Sequence, residues 1–243
     1  MVGRVVGAAF AAAATGFMLT PIAAEAAGAY APGGAGYDIS YPQCSGGYPG
    51  LPQPQFGIVG ITGGRPFRIN PCLRDQYAWA AADDRTPALY VNLDFGEHPY
   101  GLVRCTDDDH TCNAYNYGYN AAQYAFTFAA ASTDGGSFRN GTIWWLDVET
   151  ENRWSDNQAL NAAVVHGAID YLQKVQGVTV GVYSTSHQWG VIAGDYSPAN
   201  VPNWVAGGND QDDFGKCARP LWNGGQVWLF QYLIGDFDQN RGC

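Results

Sequence analysis

The chain has 243 residues, with 12 Lys and Arg against 22 Asp and Glu and a formal charge of -10. Lys occurs only at Lys174 and Lys216, and no basic patch interrupts the acidic balance, which excludes nucleic acid as a partner. The length suits one α/β domain.

Residues 1–26 open with Arg4, continue through an Ala-, Val- and Phe-rich run and end in Ala24-Glu25-Ala26. This is the pattern of a secretory signal peptide with an A-x-A cleavage site, and an uncleaved N-terminal anchor is the alternative. No other stretch reaches the roughly 18 apolar residues of a membrane span, so no stable membrane insertion is expected after cleavage. Arg4 and Glu25 cancel, and the mature chain keeps its acidity. Residues 27–35 are rich in Gly, Ala and Pro and read as a disordered leader, leaving 36–243 as a single domain, expected to be a monomer.

Six cysteines in a secreted chain fit three disulfides. Proximity favours Cys105–Cys112. Cys44–Cys72 and Cys217–Cys243 complete one of the fifteen pairings that six cysteines permit. A metal site at Cys105, His110 and Cys112 lacks a fourth ligand at ordinary spacing. No metal or cofactor is expected.

In chain order, Gly36-Tyr37-Asp38-Ile39-Ser40 begins the fold as a short strand, and a Pro/Gly-rich loop follows. A second strand covers 56–61, a helix about 72–82, and a third strand 88–93 that ends in Asp94. A long loop carries Cys105 and Cys112, and an Ala- and aromatic-rich helix covers about 115–131. Ile143-Trp144-Trp145-Leu146 is then a buried strand, apolar and free of Gly and Pro. It ends in Asp147-Val148-Glu149, and because strand side chains alternate faces the two carboxylates point the same way. Ser155 with Gln158 reads as a capping box for a helix that stops at Gly177. Further strands follow at 178–183, 203–206 and 226–232, with a short helix at 186–192. Strands alternating with helices predict a parallel sheet closed into an irregular TIM-like β/α barrel. The helices are unconvincing between the later strands.

Asp38, Asp94, the pair Asp147 and Glu149, and Asp236 or Asp238 all sit at strand ends. A barrel gathers such residues on one rim, where Tyr183 and Gln231 also belong. Glycosidic cleavage needs this composition: one carboxyl gives a proton to the leaving oxygen, while another stays charged beside the oxocarbenium-like transition state. Trp144, Trp145, Trp154, Trp204 and Trp228 are candidate sugar platforms. Ser184-Thr185-Ser186-His187 lacks the glycines of a nucleophile elbow. A divalent metal site is the rival reading of clustered acids.

These residues resemble the muramidases of glycoside hydrolase family 25. That family has an opening Gly-x-Asp-x-Ser strand, here Gly36 to Ser40, and a central Asp-x-Glu, here Asp147-Val148-Glu149. Near the end it has an aromatic-Gln-Tyr strand before an aspartate, here Phe230-Gln231-Tyr232 and Phe237-Asp238-Gln239-Asn240. The resemblance implies an irregular barrel that cleaves the β-1,4 N-acetylmuramoyl link of a bacterial cell-wall glycan. Glu149 would be general acid and Asp147 its assistant, with Asp38 and Asp238 lining the site. Asp94, Tyr183 and Gln231 join Asp38 and Asp238 as substrate-binding candidates from their places on the strands, not from the resemblance. The segments after the first and third strands and the cysteine framework depart from the family pattern and suggest a diverged branch of secreted bacterial proteins. A non-catalytic glycan-binding barrel at the cell wall is the alternative expectation.

Overall fold

The computed structural model describes residues 1, 3, 29–50, 54–96, 105–106, 108–133, 138, 141–235 and 237–243. All but two residues of the expected signal peptide lie outside these, as do Asp236 and residues 97–104 of the long loop. Among the described residues, eight strands close a barrel in sequence order. They are β1 (Ala35–Ile39), β2 (Phe56–Gly60), β3 (Ala88–Asn92), β4 (Ile143–Asp147), β5 (Thr179–Ser184), β6 (Asn203–Gly208), β7 (Val227–Ile234) and β8 (Phe237–Gly242). Neighbours from β1 to β7 pair parallel. β8 is antiparallel to both β7 and β1 and closes the ring.

Four helices fill crossovers: α1 (Leu73–Ala80), α2 (His110–Ser132), α3 (Gln158–Asp170, prolonged by a π turn over Tyr171–Val175) and α4 (Ser186–Ile192). Between β6 and β7 the described chain has only a 3-10 turn, Phe214–Ala218. The barrel is therefore helix-covered on one side and thinly covered on the other. Cys44–Cys72, Cys105–Cys112 and Cys217–Cys243 form the three disulfides, the last tying the C-terminus to that thin side. Among the described residues no helix is long and apolar enough to cross a membrane.

Several boundaries differ from expectation. α2 starts at His110 because the Asp109 carboxylate accepts from the Cys112 amide. Asn157, not Ser155, caps α3 by accepting from the Ala159 amide; the Ser155 hydroxyl instead accepts from the Asn157 amide. Order begins before Gly36: Tyr30 is buried against Phe56 with ring centroids 4.6 Å apart. Its hydroxyl accepts from the Trp145 indole at 3.2 Å.

Strand alternation divides the packing into two cores. Ile58, Ala88, Ile143, Trp145, Trp204 and Leu229 point inward and, with Tyr30 and Phe56, fill the lower barrel. Trp145 is accommodated because β5 offers Gly181 beside it, where a Cβ would lie 2.2 Å from the indole ring. Outward residues such as Val59, Leu89, Trp144, Leu146 and Val182 meet the helices. α2 and α3 approach closely through two glycines. A Cβ on Gly118 would stand 1.8 Å from the Val164 carbonyl oxygen, and one on Gly167 would stand 2.0 Å from that of Tyr115.

This contact sets two effects in opposition at Gly118. Alanine gains about 1 kcal/mol of helix propensity over glycine, but forcing a methyl into backbone costs about 1–3 kcal/mol and can exceed that. The steric term is the larger here because backbone carbonyls cannot rotate away. Gly118→Ala is expected to lower Tm by roughly 5 °C, at about 2–4 °C per kcal/mol for a chain of this size, followed by circular dichroism on heating. An unchanged or raised Tm would show that the helices separate at little cost.

Candidate active site

The carboxyl ends of the parallel strands open on a cavity of about 100 Å³. Asp38 of β1, Asp147 of β4, Glu149 just beyond β4 and Asp238 of β8 all line it, with Tyr90, Tyr183, Trp204 and Gln231. No Lys, Arg or His lies among these lining residues. The convergence follows from register. Asp38 and Asp238 are direct cross-strand partners, Asp147 pairs with Asn92 on one side and with Tyr183 on the other, and Glu149 repeats the inward phase of Asp147 two residues on.

Neutral donors hold the acids, and their orientation is set from below. The Trp204 indole, which can only donate, gives its proton to Asn240 Oδ1 at 2.7 Å. Asn240 Nδ2 is thereby turned to Asp38 Oδ2, also at 2.7 Å. The Tyr183 hydroxyl donates to Gln231 Oε1 at 2.7 Å, leaving Gln231 Nε2 to donate to Asp38 Oδ2 at 3.1 Å. On the opposite wall the Thr62 hydroxyl donates to Asn92 Oδ1 at 2.6 Å, so Asn92 Nδ2 points at Asp147 Oδ2. The Trp154 indole donates to the Glu149 backbone carbonyl at 2.8 Å and fixes the turn after the acid.

Burial dominates the electrostatics. Asp38 is pushed up to about 8, first by desolvation and then by the nearby Asp238 charge, against the lowering effect of its Asn240 and Gln231 bonds. Desolvation also raises Asp147 well above the carboxylate range, and the Glu149 charge adds to it. Glu149 is raised by desolvation, while its hydrogen bond with Asp147 pulls it down. Asp238 is raised by desolvation too. Asp147 is 5% exposed, and among the described residues its Oδ1 meets no amide or hydroxyl donor. Asp147 and Glu149 are hydrogen-bonded to each other and each affects the other's ionisation, so the two acids titrate as a unit.

Six residues singled out from sequence thus meet in one place: Asp38, Asp147, Glu149, Tyr183, Gln231 and Asp238. Asp94 does not join them. It is 3% exposed, and its Oδ1 accepts from the Tyr117 hydroxyl of α2. Of the candidate sugar platforms, Trp144 and Trp145 are fully buried and only Trp204 lines the cavity. Sequence reasoning missed Asn92, Tyr90 and Asn240. Each lies on an inward phase, with Asn92 two residues before Asp94 and Asn240 two after Asp238, so alternation alone would have found them. Among the described residues, no group of three or more His, Cys, Asp or Glu side chains has metal-holding geometry.

Comparison with known proteins agrees with this architecture. A family model described as lysozyme-like protein 1 matches residues 112–214, which include Asp147 and Glu149. A probable GH family 25 lysozyme 4 of Dictyostelium discoideum is 40% identical over 74 residues, 29% of this chain. The match spans about a third of that relative's length (34%). A muramidase from Trichobolus zukalii superimposes with a TM-score of 0.58 at 16% identity, covering 86% of this chain and 93% of its own. The bacterial lysozyme from Streptomyces coelicolor gives 0.58 at 17%, covering 86% and 91%. A family GH25 lysozyme from Aspergillus fumigatus gives 0.55 at 14%, covering 86% and 94%. In sequence over residues 112–214 and in fold over most of its length, this chain is similar to lysozyme-like proteins and family 25 muramidases.

Proposed function

We propose that the chain is a secreted glycoside hydrolase that cleaves the β-1,4 N-acetylmuramoyl link of a bacterial cell-wall glycan. The observation that carries this reading is the meeting of four carboxylates in one cavity whose described lining contains no Lys, Arg or His. Such crowding separates the pKa values of neighbouring acids, and acid–base cleavage of an acetal requires that separation. The likeness to muramidases supports the choice of glycan. The three disulfides suit an oxidising, extracellular compartment. Export through a signal peptide over residues 1–26 belongs to the same proposal, with a mature chain that acts outside the membrane.

In this reading the Asp147–Glu149 pair enters the reaction with one shared proton. Glu149, half-exposed at the cavity wall, passes it to the glycosidic oxygen as the bond to the anomeric carbon breaks. Asp147, left as a carboxylate, accepts from the acetamido N–H of the substrate. The acetamido carbonyl oxygen is then oriented to attack its own anomeric carbon, giving a cyclic intermediate. Water opens that intermediate and returns its proton to Glu149. Asp238 adds negative potential beside the developing positive charge, while Asp38, pushed up to about 8 by burial, lines the same wall largely in its protonated form near neutral pH. Asp38 is held by Gln231, which Tyr183 orients in turn, so all three are assigned to the substrate-binding wall. Asp94, bound to Tyr117, supports the loop behind it and takes no part in catalysis.

Glu149→Gln keeps the shape of the side chain and removes the proton it delivers. Reducing-end release from purified cell wall is expected to fall by about 10²–10⁴-fold, the usual share of a general acid, with wall binding retained. Undiminished release would remove Glu149 from the role. Wall binding by the unaltered chain with no release at all would favour a glycan-binding barrel.

The same acids set the dependence of stability on pH. Asp38 stands near 8 in the folded chain and near 3.9, approximately, when unfolded, so the folded state binds more protons in that window. Its stabilising contribution is complete below about pH 4 and is lost as pH rises through about 8. Tm is therefore expected to fall between about pH 5 and pH 8, and Asp38→Asn to flatten that fall by several degrees. Equal slopes in the two chains would show that Asp38 ionises without hindrance.

A further inference from the structure

The acids, Tyr90, Tyr183, Trp204 and Gln231 form the described lining of the cavity, and the parts of a polymer that extend beyond it lie against side chains standing above the acids. β7 and β8 rise there as a hairpin. Residues directly opposite one another in an antiparallel pair share a face, and Leu233 is opposite Asp238 while Gln231 is opposite Asn240. Leu233 therefore stands on the cavity face, one inward position above Gln231 and beside Asp238. It is 66% exposed. A leucine placed next to a cluster of carboxylates yet left in water has no packing role of its own. Ile234, 47% exposed and opposite Phe237, faces the other way by the same alternation.

We propose that Leu233 is a substrate-contacting, specificity-determining side chain. It forms the apolar wall of the mouth and packs against the ring C–H face and acetyl methyl of an N-acetylated amino sugar. The inference rests on the glycan reading of the acidic cavity and extends it to the rim. Acids and amides supply the polar half of sugar recognition, including the acetamido N–H at Asp147, and leave the acetyl methyl and the ring C–H face to an apolar side chain that removes them from water. Leu233 supplies this contact without entering the proton chemistry. Its removal should act on binding and leave the chemical step alone.

The test uses the mature chain with Glu149→Gln, titrated calorimetrically with soluble glycan strands from purified cell wall, fully N-acetylated or chemically de-N-acetylated. Leu233→Ser in that background is expected to weaken Kd for acetylated strands about five- to tenfold and for de-acetylated strands by less than twofold. Ile234→Ser should leave both within twofold. In the chain with Glu149 intact, Leu233→Ser should raise KM by the same factor with kcat within twofold. An unchanged Kd for Leu233→Ser overturns the inference, as does an equal loss in Ile234→Ser, which would trace the effect to the hairpin. Leu233-dependent binding by a chain that releases no reducing ends would uphold the rim contact while removing the hydrolase reading. No binding by any form overturns both.

Discussion

The physical constraint behind this structure is the enclosure of four carboxylates in one small cavity with no Lys, Arg or His in its described lining. Four charges so close in a poorly hydrated space repel strongly, and desolvation opposes each ionisation separately. The chain answers with protons and neutral dipoles. Asn92, Asn240 and Gln231 each present an N–H to an acid, and each is turned that way by a side chain that donates to its amide oxygen: Thr62, Trp204 or Tyr183. Amides stabilise a carboxylate without quenching its charge, so the acids remain able to exchange protons. A lysine in the same place would instead favour the anionic form of the acid it touched.

That arrangement depends on how the barrel closes. A regular barrel would end with a parallel strand and a covering helix. Here β8 runs backwards, which puts Asp238 directly opposite Asp38 and places Asn240 between Asp38 and the Trp204 indole. The reversal also leaves β7 and β8 as an exposed hairpin over the mouth. The Cys217–Cys243 link then secures the thin side, where no long helix covers the strands. Lower down, the interlocking of Trp145 with Gly181 and the Tyr30 hydroxyl fills the barrel, so the acids rest on a dry, packed floor and cannot be reached by water from below.

Much of this was legible from alternation. Asp147-Val148-Glu149 on an apolar strand compels two acids onto one face, and strand ends of a parallel barrel gather on one rim. β8 was not legible as a strand, because Phe237 to Gly242 carries Asp238 and Asn240 at its inward positions. A strand that faces a polar cavity lacks the hydrophobic period by which strands are recognised. Tyr30 was hidden for a different reason. Its Gly-, Ala- and Pro-rich neighbours have the composition of a leader, and one aromatic side chain anchors them through a contact remote in sequence. The cap of α3 was a choice between two residues of similar chemistry, and a single backbone turn at Ser155 decided for Asn157.

Asp94 shows where strand-end reasoning stops. It stands two residues beyond Asn92, in phase with the cavity, and nothing in β3 turns it away. The deciding residue lies on another element: Tyr117 of α2 reaches back to bind its carboxylate. The Phe95 amide donates to the Arg153 carbonyl at 2.7 Å, joining the loop after β3 to the loop after β4. Arg153 adds a positive charge near this phenol. A fifth carboxylate in the cavity would raise the other four further and bring more shared protons with it. The Asp147–Glu149 pair would then hold its proton too tightly to surrender it. By moving Asp94 onto a phenol near an arginine, the chain keeps the cavity at four acids and uses the fifth to brace the turn that carries Glu149.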